Sequence, residues 1–339
     1  MPLSPTEIAE ALERIPRVEL AHLPTPFEEL PSFAEAIGGG VRVFIKRDDC
    51  TGLLLGGNKT RHAEFLMGDA LELDCDMVVW GAGVQSNNCR QTAAACAKLG
   101  LPCHLYLSGS PAEPQGNLLL DHLVGAHVEF TYAKIGPELD AHLEAMAERF
   151  RKRGHNPYVW DRKRVVPRAA ISYVECMVEL ADDLETEEVE AAAIYVSSAG
   201  GTGAGVALGA HLLGMTAMIR LICPMTWPWN IPEALAADAN AAAELLELPH
   251  RLTARDIDTD ESYIAPGYGS PSKAGQEALH LLARTEAILL DPVYTAKAMA
   301  ALIAEIRAGR YPRGSAVIFI HTGGVPAIFA DPAGVMGAG

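Results

Sequence analysis

A chain of 339 residues with 49% hydrophobic content is long enough for two domains or one large α/β unit, which excludes a disordered protein. Its net charge of −16 repels nucleic-acid phosphates and anionic membrane surfaces, so small molecules are the expected partners, held in a local basic pocket if anionic. Seven cysteines without Cys-x-x-Cys spacing, behind an N-terminus lacking a signal-peptide block, lead us to expect a reducing cytoplasm.

The first informative run is Gly56-Gly57-Asn58-Lys59-Thr60-Arg61. Paired glycines allow unusual backbone angles and close approach, and a lysine held at a helix start in a dry cleft loses proton affinity, as an imine-forming amine must. Residues 77–80 then read as a strand, 81–85 as a turn, 86–99 as an Ala-rich helix and 103–107 as a second strand. Ser86 sits where a helix N-cap is wanted, with Gln85 and Asn87 beside it, and the N–H groups of that helix start suit the carboxylate of an amino acid.

The same order returns further on. Residues 193–196 form a predicted strand, Ser198-Ala199-Gly200-Gly201-Thr202-Gly203 a turn, 202–213 a helix and 217–223 the next strand. Backbone N–H groups at a Gly-rich helix start, with the Ser198 and Thr202 hydroxyls, make a cradle for phosphate. A third copy pairs the strand 316–320 with His321-Thr322-Gly323-Gly324. In an open parallel sheet such turns lie at the carboxyl ends of the strands, so all three can converge on one cleft. Beyond Phe329 the tail lacks apolar periodicity and is expected to be mobile.

Several rival readings fail on spacing. Residues 191–219 carry no charged side chain, yet Ser197, Ser198 and the glycines from Gly200 to Gly205 interrupt them, which favours strand, loop and helix over a membrane span. A nucleotide P-loop needs lysine directly after its last glycine, and Asn58 intervenes; Gly81-Ala82-Gly83 lacks the third glycine of a dinucleotide fingerprint. No metal is expected, since the eleven histidines form no His-Glu-x-x-His and Cys103 and His104 point to opposite faces of a strand. Cys89 and Cys96 share one helical face and read as small buried residues.

These motifs, in this order from about Glu19 to Phe329, resemble the pyridoxal-phosphate (PLP) enzymes of the tryptophan-synthase-β type, and within them the D-cysteine desulfhydrase and 1-aminocyclopropane-1-carboxylate (ACC) deaminase family. The resemblance implies an α/β fold of two domains, each an open, mostly parallel sheet flanked by helices: a large PLP-binding domain of residues 1–58 and 171–339 and a small inserted domain of 59–170, with PLP between them and a homodimer as the assembly. It implies Lys59 as the imine-forming lysine and the run from Ser198 to Gly203 as the phosphate cradle. Asn87 would contact the cofactor ring oxygen, and Thr295 and Thr322 would lie near the ring. Ser86, Tyr268 and Tyr294 become candidates for proton traffic, and with Gln85 and Asn87 for substrate binding. Asp48 and Asp49 belong to the loop leading into the cleft and carry no chemistry. Trp227 and Trp229 either wall the pocket or simply pack.

The family places a lysine three positions after the imine lysine, where this chain has His62, expected to contact the phosphate as a partly charged imidazole. ACC deaminases carry glutamate after the second tyrosine; Thr295 is neutral there, which would make the ring a weaker electron sink. The expected activity is therefore elimination from a small β-substituted amino acid, giving pyruvate, ammonia and a leaving group such as sulfide. ACC deamination and L-cysteate desulfonation are the alternatives. An intact lysine, serine and tyrosine pair counts against a ligand-binding protein without turnover.

Overall fold

The computed structural model describes residues 1–337. In chain order, helix α1 (Pro5–Glu13) precedes β1 (Phe27–Glu29), α2 (Pro31–Ile37) and β2 (Arg42–Lys46), and α3 (Asn58–Glu72) follows a short 3-10 turn. Next come β3 (Met77–Gly83), α4 (Asn87–Leu99), β4 (Cys103–Ser108), α5 (Gly116–Leu123), β5 (His127–Thr131), α6 (Pro137–Arg151) and β6 (Pro157–Val159). The long helix α7 (Arg162–Thr186) leads to β7 (Ala191–Ser197), α8 (Gly201–Leu212), β8 (Met218–Ile222), α9 (Ile231–Leu245) and β9 (Thr259–Asp260). Finally α10 (Lys273–Glu286), α11 (Thr295–Arg307), β10 (Ala316–Ile320) and α12 (Pro332–Met336) complete the chain.

These strands form two sheets. The larger has six strands in the order β1-β2-β10-β7-β8-β9, parallel except for β1 against β2; the smaller is wholly parallel, with four in the order β5-β4-β3-β6. All strands of the smaller sheet lie between residues 77 and 159, while the larger takes strands from both sides of that stretch. The expected limits at 58/59 and 170/171 fall at the first residue of α3 and inside α7.

Period-two burial explains the layering. Along β10, Val317 and Phe319 face one apolar cluster with α2, α10 and α11, while Ile318 and Ile320 face another with α1, α7, α8 and α9. In the smaller sheet Val78 and Trp80 pack under α3, α4 and α5, and Val79 packs under α6. Strands covered on both faces read as continuous apolar runs, which is how 316–320 stood out in the sequence.

One helix contact sets up the site. Gly201, Gly205 and Gly209 recur every four residues along α8 and face α7, where an added Cβ would stand 2.9 Å from the Ala169 Cβ, 2.1 Å from the Ala170 carbonyl oxygen and 2.6 Å from the Met177 Cβ. That stripe lets α7 and α8 approach closely and aims the N-terminus of α8 into the cleft. The tail corrects the expectation of mobility as far as Gly337; Ala338 and Gly339 lie outside the described residues. Asp331 caps α12 by accepting from the Gly334 N–H (2.9 Å), Pro332 opens the helix, and Val335 is buried in the core under α10.

Candidate active site

Lys59 is placed by an unusual turn. Leu53, Leu54 and Leu55 have φ of 29°, 52° and 69°, and Gly56 and Gly57 continue with 63° and 119°, so the chain runs left-handed into α3. Arg90 of α4 holds this turn by donating to the Leu54 carbonyl and to the Gly56 carbonyl (3.0 Å). Gly56 admits no side chain, because a Cβ there would stand 1.9 Å from the Asp49 carbonyl oxygen. Lys59 therefore projects from the first turn of α3 into a cavity of about 230 Å³ between the sheets. Burial pulls its amine down to about 8, the direction a nucleophilic amine needs.

Below this turn lies a charged anchor. Arg61 donates to both carboxylate oxygens of Asp48 (2.9 Å each) and to Glu179 on α7 (2.7 and 2.8 Å), while Thr25 (2.9 Å) and Tyr173 (2.5 Å) also donate to Asp48. Burial disfavours the Asp48 carboxylate, but Arg61 and its other donors outweigh that and hold it below the usual aspartate range. Asp48 thus fixes the loop rather than reacting.

The three turns meet at this cavity. At the start of α4, Ser86 Oγ accepts from the N–H groups of Asn88 and Cys89 (3.1 Å each), and it lines the cavity with Asn87. Asn117 donates to Asn87 Oδ1 (3.0 Å), which turns the amide so that its NH₂ remains for a ligand. At the start of α8, Ser198 Oγ accepts from the N–H groups of Gly200 (3.2 Å) and Gly203 (2.8 Å). No internal partner holds the N–H groups of Gly201 and Thr202 among the described residues. At the end of β10, the Thr322 carbonyl accepts from the Asn58 N–H (3.0 Å).

The tyrosines close one side. Tyr268 and Tyr294 share a hydroxyl–hydroxyl hydrogen bond of 2.5 Å, with their rings edge to face at 6.0 Å between centroids. Burial and the neighbouring Tyr268 hydroxyl push the Tyr294 phenol well above its ordinary value. Asp291 orients Tyr294 by accepting from the N–H groups of Val293 (2.9 Å), Tyr294 (3.0 Å) and Thr295 (2.7 Å). Trp227 lines the cavity and stacks on Trp229 at 4.6 Å, so the pair both walls and packs.

Of the expected site residues, Lys59, Ser86, Asn87, Ser198, Ala199, Gly200, Gly201, Thr202, Tyr268, Tyr294 and Thr322 line the cavity together. Others do not. Gln85 was expected to bind substrate, but its amide donates to the Gln115 carbonyl (3.0 Å) and its Oε1 accepts from the Asn117 N–H (2.9 Å), so it secures the segment before α5. Thr295 is corrected too: its hydroxyl donates to Asp291 Oδ1 (2.7 Å) inside the α11 cap, leaving nothing for a cofactor ring. His62 stands behind Thr202, 3.0 Å from its hydroxyl, and burial with the nearby charges of Lys59 and Arg61 keeps the imidazole neutral. The ring does not line the cavity, so the Thr202 hydroxyl stands between it and the cradle. Gly203 supports the cradle from within α8 through its N–H to Ser198.

Sequence reasoning missed several supports, Arg90 and Asp291 among them. Asn58 donates to Thr202 Oγ1 (2.9 Å), and only its place inside the lysine motif hinted at a role. Asn117 acts on Asn87 from 30 residues away and Lys297 on the Ile264 and Gly267 carbonyls from 33 and 30, so neither left a local signal.

A sequence profile of the family described as pyridoxal-phosphate dependent enzyme matches residues 18–323. This chain belongs to that family. Curated relatives include D-cysteine desulfhydrases of Salmonella newport (strain SL254) and Salmonella typhi, each 40% identical over 327 residues that cover 94% of this chain and 97% of the relative. Among solved structures, an ACC deaminase homologue superposes with a TM-score of 0.88 at 34% identity, covering 96% of this chain and 97% of that one. A PLP-dependent aspartate racemase, at 19% identity and TM-score 0.63 over 95% of both chains, shares the fold.

The cavity fits the family's cofactor. A Cβ built on Gly200 meets nothing within 4 Å, so open space lies over the helix start where free N–H groups and the α8 dipole favour phosphate. The Lys59 amine and the Asn87 amide face the same space. Among the described residues no group of three or more metal-ligating side chains occurs.

Proposed function

We propose that this enzyme performs α,β-elimination on D-cysteine, converting D-cysteine and water to pyruvate, ammonia and hydrogen sulfide. The observation that carries this reading is the 40% identity to D-cysteine desulfhydrases over 94% of the chain. The cavity supports it: Lys59 is the one charged side chain lining it among the described residues, and Ile135, Pro224, Met225 and Trp227 add a neutral wall. A substrate with one carboxylate and a neutral thiol suits that lining, whereas a second anion, such as the sulfonate of cysteate, would be buried without a cation.

Bound PLP supplies an electron sink that stabilises negative charge at the substrate Cα. Gly200, Gly201 and Thr202 would hold its phosphate, with Ser198 bracing the loop, and Asn87 and Thr322 line the same cavity. The substrate carboxylate would rest on the Asn87 N–H and the Ser86 hydroxyl hydrogen at the start of α4, since the Asn88 and Cys89 N–H groups serve Ser86 Oγ, and the helix dipole favours an anion there. Lys59 would hold the cofactor through its Nζ, and as a free amine whose proton affinity burial lowers it can take the proton from Cα. The paired hydroxyls of Tyr268 and Tyr294 line the cavity, and as protonated phenols at neutral pH they can give a proton to the departing sulfur. Elimination leaves an enamine that water converts to pyruvate and ammonia.

The working form we propose is a cytoplasmic homodimer with residues 59–170 as its smaller domain. All seven cysteines are free, and Leu119, Leu123 and Phe329 expose apolar surface where α5 packs against the segment Val325–Phe329. Solution mass would test the assembly. A panel of D-cysteine, β-chloro-D-alanine, ACC and L-cysteate tests the activity. D-cysteine turnover to pyruvate should exceed 2-oxobutyrate release from ACC at least about a hundredfold, roughly 2.7 kcal/mol of barrier. Equal or faster turnover of ACC overturns the reading, and activity confined to L-cysteate replaces the substrate.

A further inference from the structure

The Thr202 hydroxyl joins two helices. It lines the cavity at the second residue of α8, and two residues of α3 hold its Oγ1 from behind: the Asn58 amide donates at 2.9 Å and His62 Nε2 lies at 3.0 Å. Positions 58 and 62 are one helical turn apart and flank Lys59, so the lysine helix and the phosphate cradle share a single hydroxyl.

The hydrogens can be counted. A threonine hydroxyl has one hydrogen and two lone pairs, and Asn58 occupies one lone pair. Without an anion, the hydroxyl hydrogen can serve His62 Nε2. With a phosphate oxygen in the cradle, that hydrogen turns to the charged acceptor, which makes the stronger bond. Thr202 then presents its second lone pair to His62, and two lone pairs must not face each other at 3.0 Å, so Nε2 has to carry the proton. The ring is free to comply: it is buried edge-on against Tyr173 at 5.8 Å, and Nδ1 has no protein partner among the described residues.

We infer that His62 is a positioning residue that supports anion binding through Thr202, changing its neutral tautomer from Nδ1–H to Nε2–H when a phosphate-bearing ligand enters the cradle. This rests on the reading of Gly200 to Thr202 as a phosphate site and adds that His62 acts without touching the ligand. It also explains how histidine serves where a lysine would reach the phosphate directly: the ring stops at the hydroxyl and hands on a hydrogen bond.

The test uses the full-length apoprotein with ¹⁵N-labelled histidine, and inorganic phosphate followed by PLP as the probes. Ring nitrogen shifts assigned to His62, by their loss in His62→Gln, should move to the Nε2–H pattern as phosphate saturates. His62→Leu should weaken phosphate and PLP binding about fivefold to tenfold, whereas His62→Gln, which keeps a side-chain donor, should stay within about threefold. Phosphate binding with an unchanged His62 tautomer would overturn the inference and leave the cradle standing. Failure of both phosphate and PLP to bind would remove the cradle itself, and the inference with it. Should His62→Leu not fold, the ring shifts of the wild-type protein decide alone.

Discussion

Gly57 and Gly323 lie backbone to backbone: a Cβ on Gly323 would stand 2.6 Å from the Gly57 Cα, and one on Gly57 would stand 3.1 Å from the Thr322 carbonyl oxygen. With the Asn58 N–H donating to that same carbonyl, the turn that presents Lys59 is pressed onto the turn that ends β10. Lys59 and Thr322 therefore keep a fixed spacing across the cleft, set by the absence of two side chains.

Gly323→Ala tests that spacing. Its φ of 85° strains alanine and its Cβ meets unyielding backbone, so a loss of about 2–4 kcal/mol in denaturant unfolding is expected, with weaker PLP retention. Gly309→Ala is the control, because its φ of 74° carries similar strain while nothing lies within 4 Å, which limits the loss to about 1–2 kcal/mol. Equal losses at the two sites would mean that the contact with Gly57 does not matter.

Lys59 makes the apoprotein respond to pH. Burial lowers its amine from 10.5 to about 8, so between those values the unfolded chain holds a proton that the folded chain has released. Stability therefore rises with pH across this window and the penalty is complete below about 8. Lys59→Met should flatten that rise, as read from urea midpoints of apoprotein at pH 7.5 and 9.5. Peptide mapping after acylation should also give Lys59 a midpoint near 8, and a midpoint at the level of surface lysines would contradict its dry setting.

Two glycines of the α8 motif should behave oppositely. Gly205→Ala drives a Cβ to 2.1 Å from the Ala170 carbonyl oxygen, so α7 and α8 must part, at a cost of about 1–3 kcal/mol or more. Gly200→Ala adds its methyl to open space from an extended backbone with φ −157°, and stability should hardly change. PLP affinity should nonetheless fall at least about tenfold, because the methyl occupies the cradle. Fluorescence titration with PLP beside urea unfolding separates the two effects, and unchanged affinity in Gly200→Ala would remove phosphate from this loop.

What the sequence made legible was local. The continuous apolar run 316–320 has the same limits as the observed β10, and Ser86 caps α4 as its residue type demands. Residues 81–83 instead continue β3, because Gly81 lets the Tyr106 carbonyl approach to where a Cβ would stand 2.6 Å away, a cross-strand fact invisible in one segment. Thr295 was misplaced for a related reason: it follows Tyr294 in the chain, but the helix start turns it toward Asp291. The pairing of His62 with Thr202 spans 140 residues, and only the packing of both α3 and α8 on α7 brings it about.

Lys297 is the least expected support. Its side chain is fully buried on α11, one turn after Tyr294, and its ammonium donates to the carbonyls of Ile264 and Gly267 (2.8 Å each), the second adjoining Tyr268. Tyr268 itself is 43% exposed on a loop with few other ties, so Lys297 keeps its hydroxyl within reach of Tyr294. Lys297→Met should lower kcat/KM about tenfold to a hundredfold, roughly 1.4–2.7 kcal/mol, while PLP retention stays near wild type because the cradle is untouched. Lys297→Gln keeps one donor and should recover part of the loss. In a Tyr268→Phe background, Lys297→Met should add little, since the hydroxyl it positions is already gone. Fully additive losses would show that Lys297 supports the enzyme by some route other than the tyrosine pair.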